Sequence, residues 1–170
     1  ATGFVGLDLI NILSKHPNIN ILYLCAQKNI GKDIKFFDKR IKKKLPKITK
    51  IKSVIFNKLD LVFLSLPNGE AQRIIKKFGN FNNLKFIDLS ADFRIHNPKN
   101  YLKWYNKKHS SINNIKNSIY SISEFIKKDI KKYKIISCPG CYPTSIQLPL
   151  IPLLRHKLIK YDNITIDSKS

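Results

Sequence analysis

The sequence predicts an α/β protein built on a doubly wound, mostly parallel sheet, and three observations carry that prediction. Short apolar runs over residues 19–25, 60–66, 84–89 and 133–136 read as buried strands. Helical apolar spacing follows some of these runs, which argues for strand–helix alternation. The later runs end in polar or glycine-bearing turns, at Pro67-Asn68-Gly69, at residues 90–94 and at residues 138–141. Those turns lie at the carboxyl ends of strands, where such sheets hold their ligands.

Taken in order, Gly3 and Gly6 open a first helix whose expected apolar face is Val5, Leu9, Ile12 and Leu13. Asp8 is expected in its first turn and Lys15 and His16 in its last, with Pro17 ending it. Residues 19–25 read as a buried parallel-type strand. Residues 26–52 are polar and Lys-rich, with Gly31 and Pro46 as punctuation, and read mostly as loop. The strand at 60–66 leads into a helix with Asn68 as expected N-cap and Gly79 as C-cap. The strand at 84–89 runs into Asp88-Leu89-Ser90-Ala91-Asp92-Phe93-Arg94. Residues 96–132 are irregular and rich in aromatics, including Tyr101, Trp104, Tyr105 and Tyr120. After 133–136 comes a sharp turn and a helix spaced by Ile146, Leu150, Leu153 and Leu154, which Pro149 is expected to kink near Ser145. A final strand is expected over 164–167. The chain reads as cut at both ends, wanting a strand before Gly3. Residues 1–140 are expected to form a Rossmann-type dinucleotide-binding domain, and 141–170 the start of a second α/β substrate domain.

Composition narrows the function classes. The 170 residues carry a net charge of +21 with a mean hydropathy of −0.22 and a pI near 10.0. No apolar run approaches the ~18–20 residues of a membrane span. Three Cys give no disulfide framework, so a cytoplasmic setting is expected. The basic balance could mark a nucleic-acid face. Only four of the 32 basic residues are Arg, however, and Lys, Ile and Asn share AT-rich codons, so surface drift is the preferred cause and no nucleic-acid partner is expected.

The chemistry concentrates at Ser137-Cys138-Pro139-Gly140-Cys141-Tyr142-Pro143-Thr144. Cys141 falls at a helix mouth, where the macrodipole and unpaired N–H groups favour a thiolate nucleophile. Cys138-x-x-Cys141 also admits a redox dithiol, a structural pair or half a zinc site, but no His or further Cys stands at ligand spacing, so no metal is expected. Thr2, Gly3, Phe4, Val5 and Gly6 fit a phosphate-binding turn, or simply a tight one. Arg94, a rare Arg in a Lys-saturated chain, hints at use of its bidentate fork. His109 and Glu124 are polar candidates that could equally decorate a surface loop.

Four segments, residues 1–6, 65–69, 89–94 and 139–144, make nearly the whole chain resemble the front half of the N-acetyl-gamma-glutamyl-phosphate reductases, a branch of the semialdehyde dehydrogenases. Tyr101, Trp104, Tyr105, His109, Tyr120 and Glu124 match that family in spacing, while Ser145 and Pro149 depart from it. The resemblance implies that Cys141 attacks an acyl phosphate, expels phosphate and forms a thioester that NADPH reduces to a semialdehyde. It implies Arg94 as the clamp for substrate phosphate or carboxylate, and Thr2 to Gly6, Leu66 and Pro67 as cofactor contacts. Lys28 is the possible stand-in for the family's 2′-phosphate ligands, beside Gln27. A catalytic His is expected beyond Ser170. The expected partner is a small acyl phosphate, the protein a homo-oligomer in arginine biosynthesis. Sister enzymes acting on aminoadipyl or aspartyl phosphate are the nearest alternatives, and a basic nucleic-acid-binding protein is the more distant one.

Overall fold

Helix and strand boundaries follow the apolar pattern closely in the second two-thirds of the chain and loosely in the first. The computed structural model describes residues 1–81, 83–126 and 129–169, in two compact units, Ala1–Lys58 and Leu59–Ser170. All of the strand pairs in both units are parallel, the α/β arrangement expected from the sequence.

In the first unit, α1 (Phe4–Ser14) is followed by β1 (Leu24–Cys25), which pairs with β2 (Ile48–Thr49). The core is Ile10, Leu24, Ile34, Ile41 and Ile48, with Ala1, Leu7, Ile21, Ala26, Phe37 and Leu45 packed on it. Three expectations are corrected here. The buried stripe of α1 is Gly6, Ile10 and Ser14, whereas Val5 and Ile12 are exposed. Both stripes have helical spacing, and only packing against the Ile cluster selects between them. Asp8 lies past the first turn and pairs with Arg40, and Lys15 is the C-cap. The strand over 19–25 shrinks to two residues because β2 pairs with no more, and Leu22 is left exposed. Residues 26–52 are, apart from β2, loop and short 3-10 turns, mostly loop as expected, yet they supply Ile34, Ile41 and Ile48 to the core.

The second unit is a four-stranded sheet in the order β3-β4-β6-β5, formed by β3 (Leu61–Leu64), β4 (Lys85–Asp88), β5 (Ser118–Tyr120) and β6 (Ile135–Ser137). Central β4 and β6 bury Phe86, Asp88, Ile135, Ile136 and Ser137. Edge strand β3 is half-exposed at Leu61, although its apolar run reads as buried. Helix α2 (Glu70–Phe78) crosses from β3 to β4 and presents Ala71, Gln72 and Ile75 inward. Its N-cap is Gly69, not Asn68, in a left-handed conformation (φ 95°) that glycine tolerates. Gly79 is the C-cap, as expected.

The aromatic segment is more regular than expected. It holds α3 (Pro98–Tyr105), α4 (Ile112–Ile115), edge strand β5 and α5 (Ser123–Ile126). Asn97 caps α3 with its side chain and Pro98 fills the first position. Helix α6 (Cys141–Arg155) runs on through Pro149 and Pro152, past the position where a kink was expected. It buries no residue completely, so water can serve the carbonyls those prolines leave without an N–H partner. Residues 164–167 are not a strand, and Ile164 and Ile166 are partly exposed.

If the Lys-rich segment supplies the first core, Ile34→Ala should lower stability by about 2–5 kcal/mol in urea denaturation. Lys35→Ala beside it should change little. Equal effects of the two would remove Ile34 from the core.

Candidate functional site

Register aligns the carboxyl ends of the four strands of the second unit: Leu64 pairs with Asp88, Asp88 with Ser137, and Ser137 with Tyr120. Three turns therefore leave one edge together, namely residues 65–69 after β3, 89–94 after β4 and 138–140 after β6. Leu66 and Pro67 lie on the first, Arg94 on the second, and Cys141 closes the third as the first residue of α6.

The middle turn binds the other two. The Asp92 carboxylate, fully buried, accepts the Gly69 N–H (2.7 Å) and the Gln72 N–H (3.0 Å), so it caps α2 from 20 residues away. Two residues on, Arg94 Nε donates to the Cys138 carbonyl (2.9 Å) and Nη2 to the Leu89 carbonyl (3.1 Å). Its Nη1 lies beside Gly140, where a Cβ would meet it at 3.1 Å. Arg94 thus spends one donor on holding the Cys138–Cys141 turn and one on its own turn at Leu89, while Nη1 stands at Gly140.

Around Asp92 lies a buried polar network. The Tyr101 hydroxyl is 2.6 Å from Asn68 Oδ1 and 3.1 Å from Asp92 Oδ1, and accepts from Gln72 Nε2 (2.7 Å). Its single proton serves one acceptor at a time. Gln72 Oε1 accepts from the Ser110 N–H, and Lys107 Nζ donates to the Asn68 carbonyl. His109 is buried rather than decorating the surface: Nδ1 accepts from the Ser111 N–H, which leaves Nε2–H to donate to the Asp92 carbonyl at 2.9 Å. Burial lowers its pKa, and it packs edge-on against Phe93 and Tyr101. Glu124 is exposed and accepts from the Ser123 hydroxyl. Asp92, Gln72 and Tyr101 were not singled out as a network. Asp92 lies in the residue 89–94 segment, but only the fold shows that its target is a helix 20 residues upstream.

The cysteines differ in setting. Cys141 is exposed, while Cys138 and Cys25 are half-buried, and all three are free. Burial pushes the Cys138 thiol up, the Asp88 charge adds to this, and the Arg94 charge opposes it. Cys138 and Cys141, separated by Pro139 and an extended Gly140 (φ −73°, ψ 173°), are both free. Among the described residues no cluster of three or more His, Cys, Asp or Glu could hold a metal ion, and no helix is long and apolar enough to cross a membrane.

In the first unit, Ala1 N donates to the Cys25 carbonyl (2.6 Å), which puts the residues leading into α1 beside the end of β1. Thr2 and Gly3 on one side and exposed Lys28 on the other leave that same edge. The two glycines have different jobs. A Cβ at Gly3, the N-cap of α1, would meet nothing within 4 Å, leaving the backbone open to a ligand. A Cβ at Gly6 would lie 2.7 Å from the Ala1 carbonyl oxygen, so Gly6 permits close packing on the residue that leads into the helix. Phe4 and Val5 are exposed on the first turn. Of the helices that begin at strand ends, α2 has its N-terminus neutralised by Asp92. Helices α1 and α6 start from Gly3 and Gly140 with no side-chain cap and no acid in the first turn. Those two N-termini therefore suit anionic groups.

The comparisons agree with this geometry. The family model described as "Semialdehyde dehydrogenase, NAD binding domain" matches residues 1–133. The whole chain is 44% identical over 172 residues to an N-acetyl-gamma-glutamyl-phosphate reductase of Ehrlichia canis, covering 49% of that protein. It is 42% identical over 177 residues to the reductase of the same name from Brachyspira hyodysenteriae (50% covered). It is 39% identical over 171 residues to a probable chloroplastic one from Arabidopsis thaliana (42% covered). The chain spans about half the length of the curated relatives it matches.

Two measurements test the site's construction. Burial pushes the Asp88 carboxyl up to about 6, against hydrogen bonding from Ser90 and the Arg94 charge, with the Asp92 charge adding to the rise. The folded state therefore holds the Asp88 proton more tightly than the unfolded chain, and that contribution is lost as pH rises through about 6. This group should remove about 2 kcal/mol of stability between pH 4 and pH 6. Asp88→Asn should flatten that decline, and parallel stability–pH curves would refute it. Gly6→Ala should lower stability by about 1–3 kcal/mol through overpacking, opposite in sign to the ordinary helix gain; a rise in Tm would contradict the close approach.

Proposed function

Because the chain belongs to the semialdehyde dehydrogenase family through its NAD-binding domain, we propose that it is the cofactor-binding and nucleophile-bearing part of an NADPH-dependent N-acetyl-gamma-glutamyl-phosphate reductase, serving arginine biosynthesis. The observation that carries this reading is the position of Cys141. It is exposed at the uncapped start of α6, on a turn that Arg94 holds by its carbonyl. Residues 1–140 would be the dinucleotide domain, and 141–170 would begin the catalytic one.

In this reading the Cys141 thiolate attacks the acyl carbon, the acyl–oxygen bond breaks and phosphate leaves, so that a thioester on Cys141 results. When bound, the dinucleotide supplies hydride for reduction of that thioester to the semialdehyde, which releases the sulfur as thiolate. The α6 N-terminus favours the oxyanion that develops beside Cys141. Arg94, through Nη1, meets the substrate phosphate or carboxylate. Open backbone at Gly3 and the first turn of α1 receive the pyrophosphate, Leu66 and Pro67 flank the cofactor, and Lys28 favours the 2′-phosphate of NADP. The three free cysteines support a reducing, cytoplasmic setting. The positive balance draws both anions in, an effect that salt weakens.

The test is phosphate-dependent NADP reduction by the full-length protein, with N-acetylglutamate, aspartate and aminoadipate semialdehydes compared. The first should give the highest kcat/KM; a preference for either of the others would reassign the substrate. Cys141→Ala should lower kcat roughly 10³-fold or more with the fold retained by circular dichroism. Iodoacetamide should label Cys141 ahead of Cys138 and Cys25. Retained turnover in the variant would remove the nucleophile assignment.

A further inference from the structure

We propose that Asp92 is a positioning residue that sets the cofactor turn and the substrate turn together, an inference that rests on the reductase reading above. Its carboxylate holds the residue 65–69 turn through the Gly69 N–H and holds α2 through the Gln72 N–H. Its backbone is fixed in turn by His109 at its carbonyl and by Ser90 Oγ, which accepts from the Asp92 N–H at 3.1 Å. Arg94, two residues on, carries the far end of the same short turn to the Cys138 carbonyl. One buried charge therefore lies between Leu66 and Pro67 on one side and Arg94 and the Cys141 turn on the other. Nothing about Asp92 suits it to touch a ligand, since it is fully buried and both oxygens are engaged. It acts through its neighbours.

Asparagine in its place keeps the shape but offers one acceptor where two N–H donors converge, and its amide NH₂ opposes the other donor. The cofactor turn and the Arg94 turn would then relax apart. A displacement of that kind weakens the hold of both turns on their ligands, so binding suffers along with turnover.

The experiment is steady-state kinetics on the full-length protein, with Asp92→Asn, Tyr101→Phe and Ser118→Ala compared well below each Tm. Ser118 is buried at the opposite end of the sheet, where its hydroxyl donates to the Ile115 carbonyl, and serves as a destabilised control. In Asp92→Asn the KM for both dinucleotide and acyl phosphate should rise roughly tenfold or more, and in Tyr101→Phe by a smaller factor in the same direction. Ser118→Ala should leave both KM values unchanged. Simple loss of folded enzyme lowers apparent kcat and leaves KM alone, so a fall in kcat at wild-type KM in Asp92→Asn would overturn the proposal. If Asp92→Asn fails to fold, Tyr101→Phe decides: wild-type KM values there overturn it. An inactive wild-type protein would instead overturn the reductase reading.

Discussion

The geometry of the second unit depends on two side chains of opposite charge two residues apart, Asp92 and Arg94. Both sit on the turn after β4, the strand next to the sheet's half-exposed edge strand β3. Asp92 reaches toward β3 and Arg94 toward β6, each bonding backbone rather than another charge. Bonds from a charged group to backbone N–H or carbonyl are stronger than neutral ones, and they fix chain direction as well as distance. Three loops that would otherwise vary independently are therefore held as one edge. The rest of the site, with Gly69 and Gly140 at opposite ends, hangs on that tie.

The same arrangement distributes charge selectively. Helix α2 could have offered a third anion-binding N-terminus, but Asp92 occupies it. Helices α1 and α6 keep theirs open, with glycine caps that supply no side chain. Beneath the site, Asp88 Oδ2 and Ser137 Oγ are buried without a hydrogen-bond partner on neighbouring, in-register residues. That unpartnered carboxylate oxygen accords with burial dominating the Asp88 titration; the neighbouring Cys138 thiol is raised first by its own burial and further by the Asp88 charge, leaving Cys141 as the accessible sulfur.

Much of this was legible where local pattern and tertiary packing agree. Strands β4 and β6, the C-cap at Gly79 and the start of α6 at Cys141 follow from apolar runs ended by turn residues. The sequence misled where two patterns coexist. Helix α1 carries an apolar Val5–Ile12 stripe and a Gly6–Ile10–Ser14 stripe, and burial chose the less apolar one because Gly6 allows close approach. Gly69 and Gln72 lie 23 and 20 residues before Asp92, and Asn68 and Gln72 lie 33 and 29 before Tyr101, beyond the reach of any spacing rule. Lys-rich residues 26–52 hid three core isoleucines because each stands between polar or charged neighbours, and their seven-residue spacing is one a helix would show although no α-helix forms there.

Those isoleucines have a mechanical consequence. Strands β1 and β2 are two residues each, so few ladder bonds rigidify the first unit. Four of its five buried core residues are nevertheless branched at Cβ and confined to few rotamers, and the chain contains no Met, the most pliable apolar filler. Ordering such side chains costs about 0.5–1 kcal/mol each, less than longer unbranched ones. The bed beneath the Gly3 turn therefore owes its stiffness to torsionally restricted side chains more than to its backbone.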